Sequence, residues 1–339
     1  MNASERFIRN KISLHRRLVA LAAAGGAELS GSTDAVYAAD ALVHAYHPVN
    51  ELRGREAVAN ELWQPLLTAL PDAERRDNIV IAGEYEGSDV VALLGHIQGN
   101  FEKPLHGIPP THGVVHLRYG EVHHLQDGLI RESWVIADML NLMDQAGCRP
   151  VAPSLGAEHL WPAPATNDGV QTDRVDAEAG AATLRLVKRM HGGLLKFDGR
   201  DIESMDHEKY WKQDFLWYGP SGIGTSRGLD GFRAHHQIPF LRAFPDRKTA
   251  HHFAETGDGD YVVTGGWPSV TATHTGPDWL GLPPTGKHVD MRVMDFYRCE
   301  DGLVAENWVP IDIIDMLRQF GVDVFERMRH FAGRPRTSL

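Results

Sequence analysis

Residues 285–321 read TGKHVDMRVMDFYRCEDGLVAENWVPIDIIDMLRQFG, and their pattern decides the fold. Two β-rich runs, His288 to Cys299 and Leu303 to Pro310, flank Glu300-Asp301-Gly302. Asp-Gly between such runs is a strong hairpin signal. Asp312 follows where an N-cap would sit, ahead of Ile313, Ile314, Met316 and Leu317, and Gly321 closes that short helix. Strand, tight turn, strand and capped helix make the back end of an α+β domain.

The same pattern occurs a second time. Shifting residues 107–147 forward by 174 positions without a gap brings 15 of 41 residues into coincidence. Gly107-Ile108-Pro109-Pro110-Thr111 meets Gly281-Leu282-Pro283-Pro284-Thr285, and Asp127-Gly128-Leu129 meets Asp301-Gly302-Leu303. Glu132, Trp134, Asp138, Gln145 and Gly147 meet Glu306, Trp308, Asp312, Gln319 and Gly321, and the register already holds at Arg53-Gly54 against Arg227-Gly228. A unit this long is a whole domain, since solenoid repeats run to roughly 20–50 residues. The expected organisation is a first domain over residues 1–148, a proline-rich linker over 149–177 and a second domain over 178–333. Two sibling sheets in one chain can cover each other's bare outer faces, so an intrachain pseudo-dimer packed sheet to sheet is expected.

The front of the second copy reads as helical. Leu184, Val187, Leu194 and Leu195 recur at helical spacing before Gly199, a short helix is expected near residues 202–211, and a third helix over about 229–244 carries His235 and His236. The long strands follow. The sum is three helices laid against one face of a curved antiparallel sheet.

A net charge of -11 argues against a broad nucleic-acid surface and for a small-molecule partner. Two distant cysteines, Cys148 and Cys299, suggest neither a disulfide framework nor a CxxC site, and a cytoplasmic location is the expectation. Residues 16–24 have the basic start and apolar run of a signal peptide, yet the repeat aligns them with residues 190–198, inside a helical pattern. No apolar run is long enough to span a bilayer, so no membrane partner is expected.

With Phe244-Pro245-Asp246 after the third helix, the order TGK, alternating strand, aromatic-Arg, Asp-Gly, Glu-x-Trp, Asp and a helix ending near Gln-x-Gly resembles the SnoaL-like polyketide cyclase branch of the NTF2-like superfamily. The first copy departs where TGK becomes Thr111-His112-Gly113 and the aromatic-Arg becomes His123-His124. The resemblance implies two tandem cone-shaped domains with helices on the concave face of each sheet. It also implies acid/base chemistry without a cofactor: family members carry a His-x-Asp on this strand whose Asp moves a proton in an aldol ring closure. The matching residues here are His288 and Asp290.

Period-two alternation puts His288, Asp290, Arg292, Met294 and Phe296 on one strand face and Val289, Met291, Val293, Asp295 and Tyr297 on the other. A row of His, Asp and Arg is costly on a packed face, so the first set is expected to line a wet cavity, with Asp290 as general acid/base, His288 its partner and His274 a third member. Asp295 is the rival acid, reaching the cavity only if a bulge turns it inward, and the first copy carries Glu121 at that place. Trp217, Trp267, Tyr218, Trp308, Arg292 and His235 are the expected substrate-binding side chains, with flat rings favouring a flat or polycyclic ligand.

The first copy has Asn100, Val114 and His116 where the second has His274, His288 and Asp290, so it reads as a structural partner with the smaller and less polar pocket; His116, Arg118 and Glu121 stand in reserve as a second site. Nineteen histidines raise a metal alternative, a site of two histidines and one carboxylate from His274, His288 and Asp290, but the expectation is no metal. Two function classes remain: a cofactor-independent cyclase, isomerase, dehydratase (lyase) or hydrolase acting beside a carbonyl, and a non-catalytic small-molecule-binding or assembly module. Further self-association stays open.

Overall fold

A computed structural model describes residues 2–331 apart from 27, 198 and 278. The expected end of the second domain at residue 333 lies outside the described residues. The duplication extends to the element boundaries. The first helix, Ala3–Ala22, is capped by Asn2, and its counterpart Ala177–Leu194 is capped by Asp176, 174 positions later. Each cap side chain accepts from the backbone of the third helical residue, supplying a partner for an otherwise orphaned N–H.

In the first domain, strands β1 (Tyr37–Ala45), β2 (Glu51–Arg53), β3 (Glu74–Tyr85), β4 (Ser88–Asn100), β5 (Val114–Gln126) and β6 (Leu129–Ala137) form one sheet in the order β2-β1-β6-β5-β4-β3. In the second, β7 (Trp211–Tyr218), β8 (Ser226–Arg227), β9 (Lys248–Thr249), β10 (His252–Asp258), β11 (Tyr261–Thr273), β12 (His288–Glu300) and β13 (Leu303–Trp308) repeat that order as β10-β11-β12-β13-β7-β8, with β9 pairing β11. The sheets are mixed rather than purely antiparallel, because β1 lies parallel to β6 and β7 parallel to β13. The first strand of each domain is inserted beside the last, and the intervening chain supplies the crossover that a parallel pair requires. The expected short helix near residues 202–211 is two 3-10 turns, Ile202–Met205 and His207–Lys209, leading into β7.

Period-two alternation divides each sheet between two cores. Val91, Leu93, Val115, Leu117, Val289 and Met291 pack under the helices. Val90, Ala92, Leu94, Val122, Met294 and Phe296 join a second cluster made from the outer faces of both sheets. The two domains therefore pack sheet on sheet. Gly120 shows how close they approach: a Cβ there would lie 2.7 Å from Pro310 Cγ and 3.3 Å from Met294 Sδ. Trp134 of one domain stacks on Phe253 of the other at 4.3 Å. Lys11, 2% exposed, is paired with Asp258 across the domains at 2.6 Å.

The proline-rich segment straps this seam. Ala157 forms a β-bridge to Thr225, and the Pro162 carbonyl accepts a hydrogen bond from Trp308 Nε1 at 3.0 Å. Among the described residues no helix is long and apolar enough to cross a membrane.

Candidate functional site

A cavity of about 510 Å³ opens in the second domain between the sheet, the Ala177–Leu194 helix and the helical segment 228–243. Trp211, Trp217, Phe232, Phe240 and Trp279 make its walls largely aromatic, as a site for a flat organic ligand requires. His236 of segment 228–243 stacks on Trp217 at 4.0 Å, and burial pushes its imidazole down to about 3, so it presents a neutral ring.

β12 supplies the polar floor. Its cavity-facing residues are Met291, Val293, Asp295 and Tyr297. The β11–β12 register shift falls between Gly266 and Val270 on β11, while β12 from Val293 to Arg298 pairs without interruption. Asp295 thus reaches the cavity through ordinary alternation, with no bulge of its own strand. Asn307 of β13 donates Nδ2 to Asp295 Oδ1 at 3.3 Å and to the Phe296 carbonyl at 3.2 Å. Tyr297 is also hydrogen-bonded to Asp295, and its hydroxyl lies 2.9 Å from His191 Nε2. With Tyr297 donating to Asp295, its oxygen accepts from the Nε2–H tautomer of His191.

Among the described residues no cation is paired with this carboxylate. Burial pushes Asp295 up to about 6, against the opposing pull of the Asn307 and Tyr297 hydrogen bonds. Burial also drives His191 down to about 4, leaving it neutral at physiological pH. A carboxyl that titrates near neutrality inside an apolar cavity can both take and return a proton.

The other expected site residues are distributed differently. His288 and Asp290 lie 3.2 Å apart, but their side chains are 63% and 54% exposed on the opposite strand face. The Asp290 backbone is held by Gln319, whose amide accepts from its N–H and donates to its carbonyl. His274 is fully buried between Phe244 and Phe320, with Nδ1 3.2 Å from Thr285 Oγ1. His274, His288 and Asp290 therefore do not converge on one cavity. The expectation failed because both faces of β12 are buried over most of its length, one by helices and one by the sibling sheet, and alternation does not say which is which.

Arg292 is taken up by Asp312 at 3.0 Å and Asp315 at 3.2 Å, and it sits over the Trp267 ring at 4.8 Å. Trp267 packs against the interdomain cluster, while Tyr218 and Trp308 stack at 4.9 Å within it. These four side chains belong to the seam rather than to the cavity. His235 stands 3.4 Å from Ser226 Oγ, and its neighbour His236 lines the wall. Trp217 and Asp295 are the expected residues that the cavity retains.

In the first domain the corresponding space is filled with charge. Arg75, which takes the place of Thr249, is fully buried and bonded to Asp77 and to Glu121, the latter at 2.7 Å. Tyr119 donates to Asp77 at 2.6 Å, and His123 lies 3.4 Å from Glu121. Although burial pushes Glu121 upward, Arg75 holds it below the usual carboxylate range. Of the reserve residues, Arg118 is buried beside Asp138 and Trp161, and His116 is tied through its backbone to Gln145. Among the described residues, no group of three or more His, Cys, Asp or Glu side chains is placed to hold a metal ion.

The residues missed in the sequence, His191, His236, Tyr297 and Asn307, left a signal of a particular kind. Positions identical between the copies, such as Arg118/Arg292, Asp138/Asp312 and Gln145/Gln319, build the frame and the seam. Positions that differ, Glu121/Asp295, His123/Tyr297 and Ser133/Asn307, face the cavity or the ion cluster that replaces it.

Fold and site define a duplicated α+β protein in which the second domain holds a largely aromatic cavity around a buried carboxyl and the first holds a buried ion cluster at the corresponding residues. Residues 28–146 and 194–320 both match the profile of the SnoaL-like polyketide cyclase family, and the chain belongs to that family as two copies in tandem. Among solved structures it is similar to IdmH of Streptomyces antibioticus, at 22% identity over 40% of this chain and 98% of that one, with a TM-score of 0.34. AclR of Streptomyces galilaeus matches at 24% identity over 41% and 97%, TM-score 0.35, and a SnoaL-like protein of Jannaschia sp. CCS1 at 19% over 42% and 92%, TM-score 0.35. No curated protein matches the sequence.

Proposed function

We propose that the second domain is an acid/base catalyst acting on a small, carbonyl-containing, largely apolar ring compound, with Asp295 as the group that moves the proton. The observation that carries this reading is a buried carboxyl, held by Asn307 and Tyr297 and paired with no cation among the described residues, on the floor of an aromatic cavity. The Asp295 carboxylate takes a proton from carbon next to the carbonyl, and the C–H electron pair passes into the enolate. Return of the proton at another carbon isomerises the substrate; attack of the enolate carbon on a second carbonyl closes a ring, and the alkoxide so formed takes the proton back from Asp295. Asp290 is the weaker choice, since its exposed side chain lies on the strand face turned away from the cavity.

The test is proton exchange in deuterium oxide, followed by NMR, with 1-tetralone and related cyclic ketones as probes. Enzyme-dependent deuterium uptake beside the carbonyl, lost in Asp295→Asn and kept in Asp290→Asn, is the expected result. Uptake that survives Asp295→Asn would sink the assignment, and ketone binding without any uptake would favour a non-catalytic binder.

A further inference from the structure

Beside the aromatic cavity lies a second one of about 810 Å³, and the two share Leu194, Leu195, Phe240, Thr249 and Val270 as lining. Its floor is apolar, through Phe197, Ile202 and Leu241, but its rim carries Arg242, Arg247 and Lys248. Arg247 is half-buried and sits over the Phe197 ring at 5.2 Å, its guanidinium donating to the Phe244 carbonyl at 3.4 Å. No carboxylate pairs with Arg242, Arg247 or Lys248 among the described residues. The neighbouring Asp246 turns instead to the Thr273 amide at 2.8 Å. An outer chamber in which Arg242, Arg247 and Lys248 have no carboxylate partner among the described residues stands out in a chain of net charge -11.

The duplication provides an internal control. At the positions 174 residues earlier, Arg242, Arg247 and Lys248 correspond to Thr68, Ala73 and Glu74. The domain with the buried ion cluster therefore lacks the cationic rim, and the domain with the aromatic cavity has it. A rim serving only solubility or folding would have no reason to follow the cavity.

We propose that the ligand of this site is an anionic small molecule: an apolar ring system occupies the inner cavity and a carboxylate or phosphate at the end of a short chain is held by Arg242, Arg247 and Lys248. This rests on the inner cavity being the substrate site. Guanidinium groups present a fork that matches such oxyanions, and the half-buried position of Arg247 strengthens that pairing relative to one in open water. Exposed Leu195 at the junction supplies an apolar shelf for the connecting chain.

The experiment uses the full chain and a fluorescent pair, 4-(1-pyrenyl)butanoate and its neutral primary amide, titrated side by side. The acid is expected to bind about tenfold tighter than the amide, a gain of the size that charge-assisted hydrogen bonds give. That preference should disappear in R242Q/R247Q/K248Q and shrink in the wild type between about 0.02 and about 0.5 M salt, where screening shortens the reach of surface charge. The salt series needs no variant, so misfolding of the triple variant would not shield the idea. Equal affinities for acid and amide, a preference that persists without the three cations, or failure of both probes to bind would overturn it. Failure of the catalytic reading shows up separately, as ketone exchange that does not depend on Asp295.

Discussion

Asp138 and Asp312, 174 residues apart, reach across the seam in opposite directions with the same bond: Asp312 Oδ2 accepts from the His47 backbone N–H, and Asp138 Oδ2 accepts from that of Ser221, both at 2.9 Å. His47 and Ser221 are themselves 174 apart, so the pair is what an approximate two-fold axis between domains produces. Each Asp also caps the helix that follows it and accompanies an arginine, Arg118 or Arg292. Replacing Asp312 with Ala removes a cap, an interdomain bond and one partner of Arg292. A loss of about 2–4 kcal/mol is expected from urea denaturation. The double variant with Asp138→Ala should fall short of the sum of the singles if the two bonds lock one seam.

The two candidate acids separate cleanly by mutation. Asp295→Asn keeps shape and hydrogen bonding but cannot cycle a proton, and should lower exchange by about 100-fold or more. Asp290→Asn changes an exposed side chain whose backbone alone is anchored, and should leave exchange within about twofold and melting unchanged within about a degree.

Asp295 also predicts a pH signature. Its folded-state value of about 6 lies above the usual carboxyl range, so the folded state holds this proton more tightly than the unfolded chain. That contribution to stability is fully present below about pH 4 and is lost as pH rises through about 6. Asp295→Asn should therefore melt with the wild type in acid and a few degrees above it at pH 8, read by scanning calorimetry. Proton-abstraction activity of the wild type should rise with pH through the same region, because only the carboxylate accepts a proton. A variant that melts lower at every pH would contradict the burial of an unneutralised acid.

In the first domain the buried ion cluster replaces a cavity, and its removal should cost stability without touching chemistry. Arg75→Ala strands Asp77 and Glu121 in the interior, for an expected loss of about 3–5 kcal/mol. Arg75→Met with Asp77→Asn and Glu121→Gln, which removes all three charges, should recover much of it. Exchange at the second domain should keep its KM and kcat in that triple variant; a large change in either would give the first domain a share in the reaction.

Much of this protein is legible in its residues alone. The gapless offset of 174, the Asp-Gly turns and the capped terminal helices determine two α+β domains, because turn and cap chemistry acts between neighbours in the chain. The identity of the cavity face was not determined in the same way. Alternation sorts β12 into two sets, but burial makes both sets apolar over much of the strand: Met291 and Val293 lie under the helices, Met294 and Phe296 under the sibling sheet. Only the docking of the domains decides that His288, Asp290 and Arg292 turn outward to water and the seam. It also decides that Asp295, through Asn307, Tyr297 and His191, meets an aromatic space opened where the first domain has Arg75. Periodicity is a local property of the backbone, whereas which face is wet, which is dry and which acid is desolvated depend on what the rest of the chain lays against it.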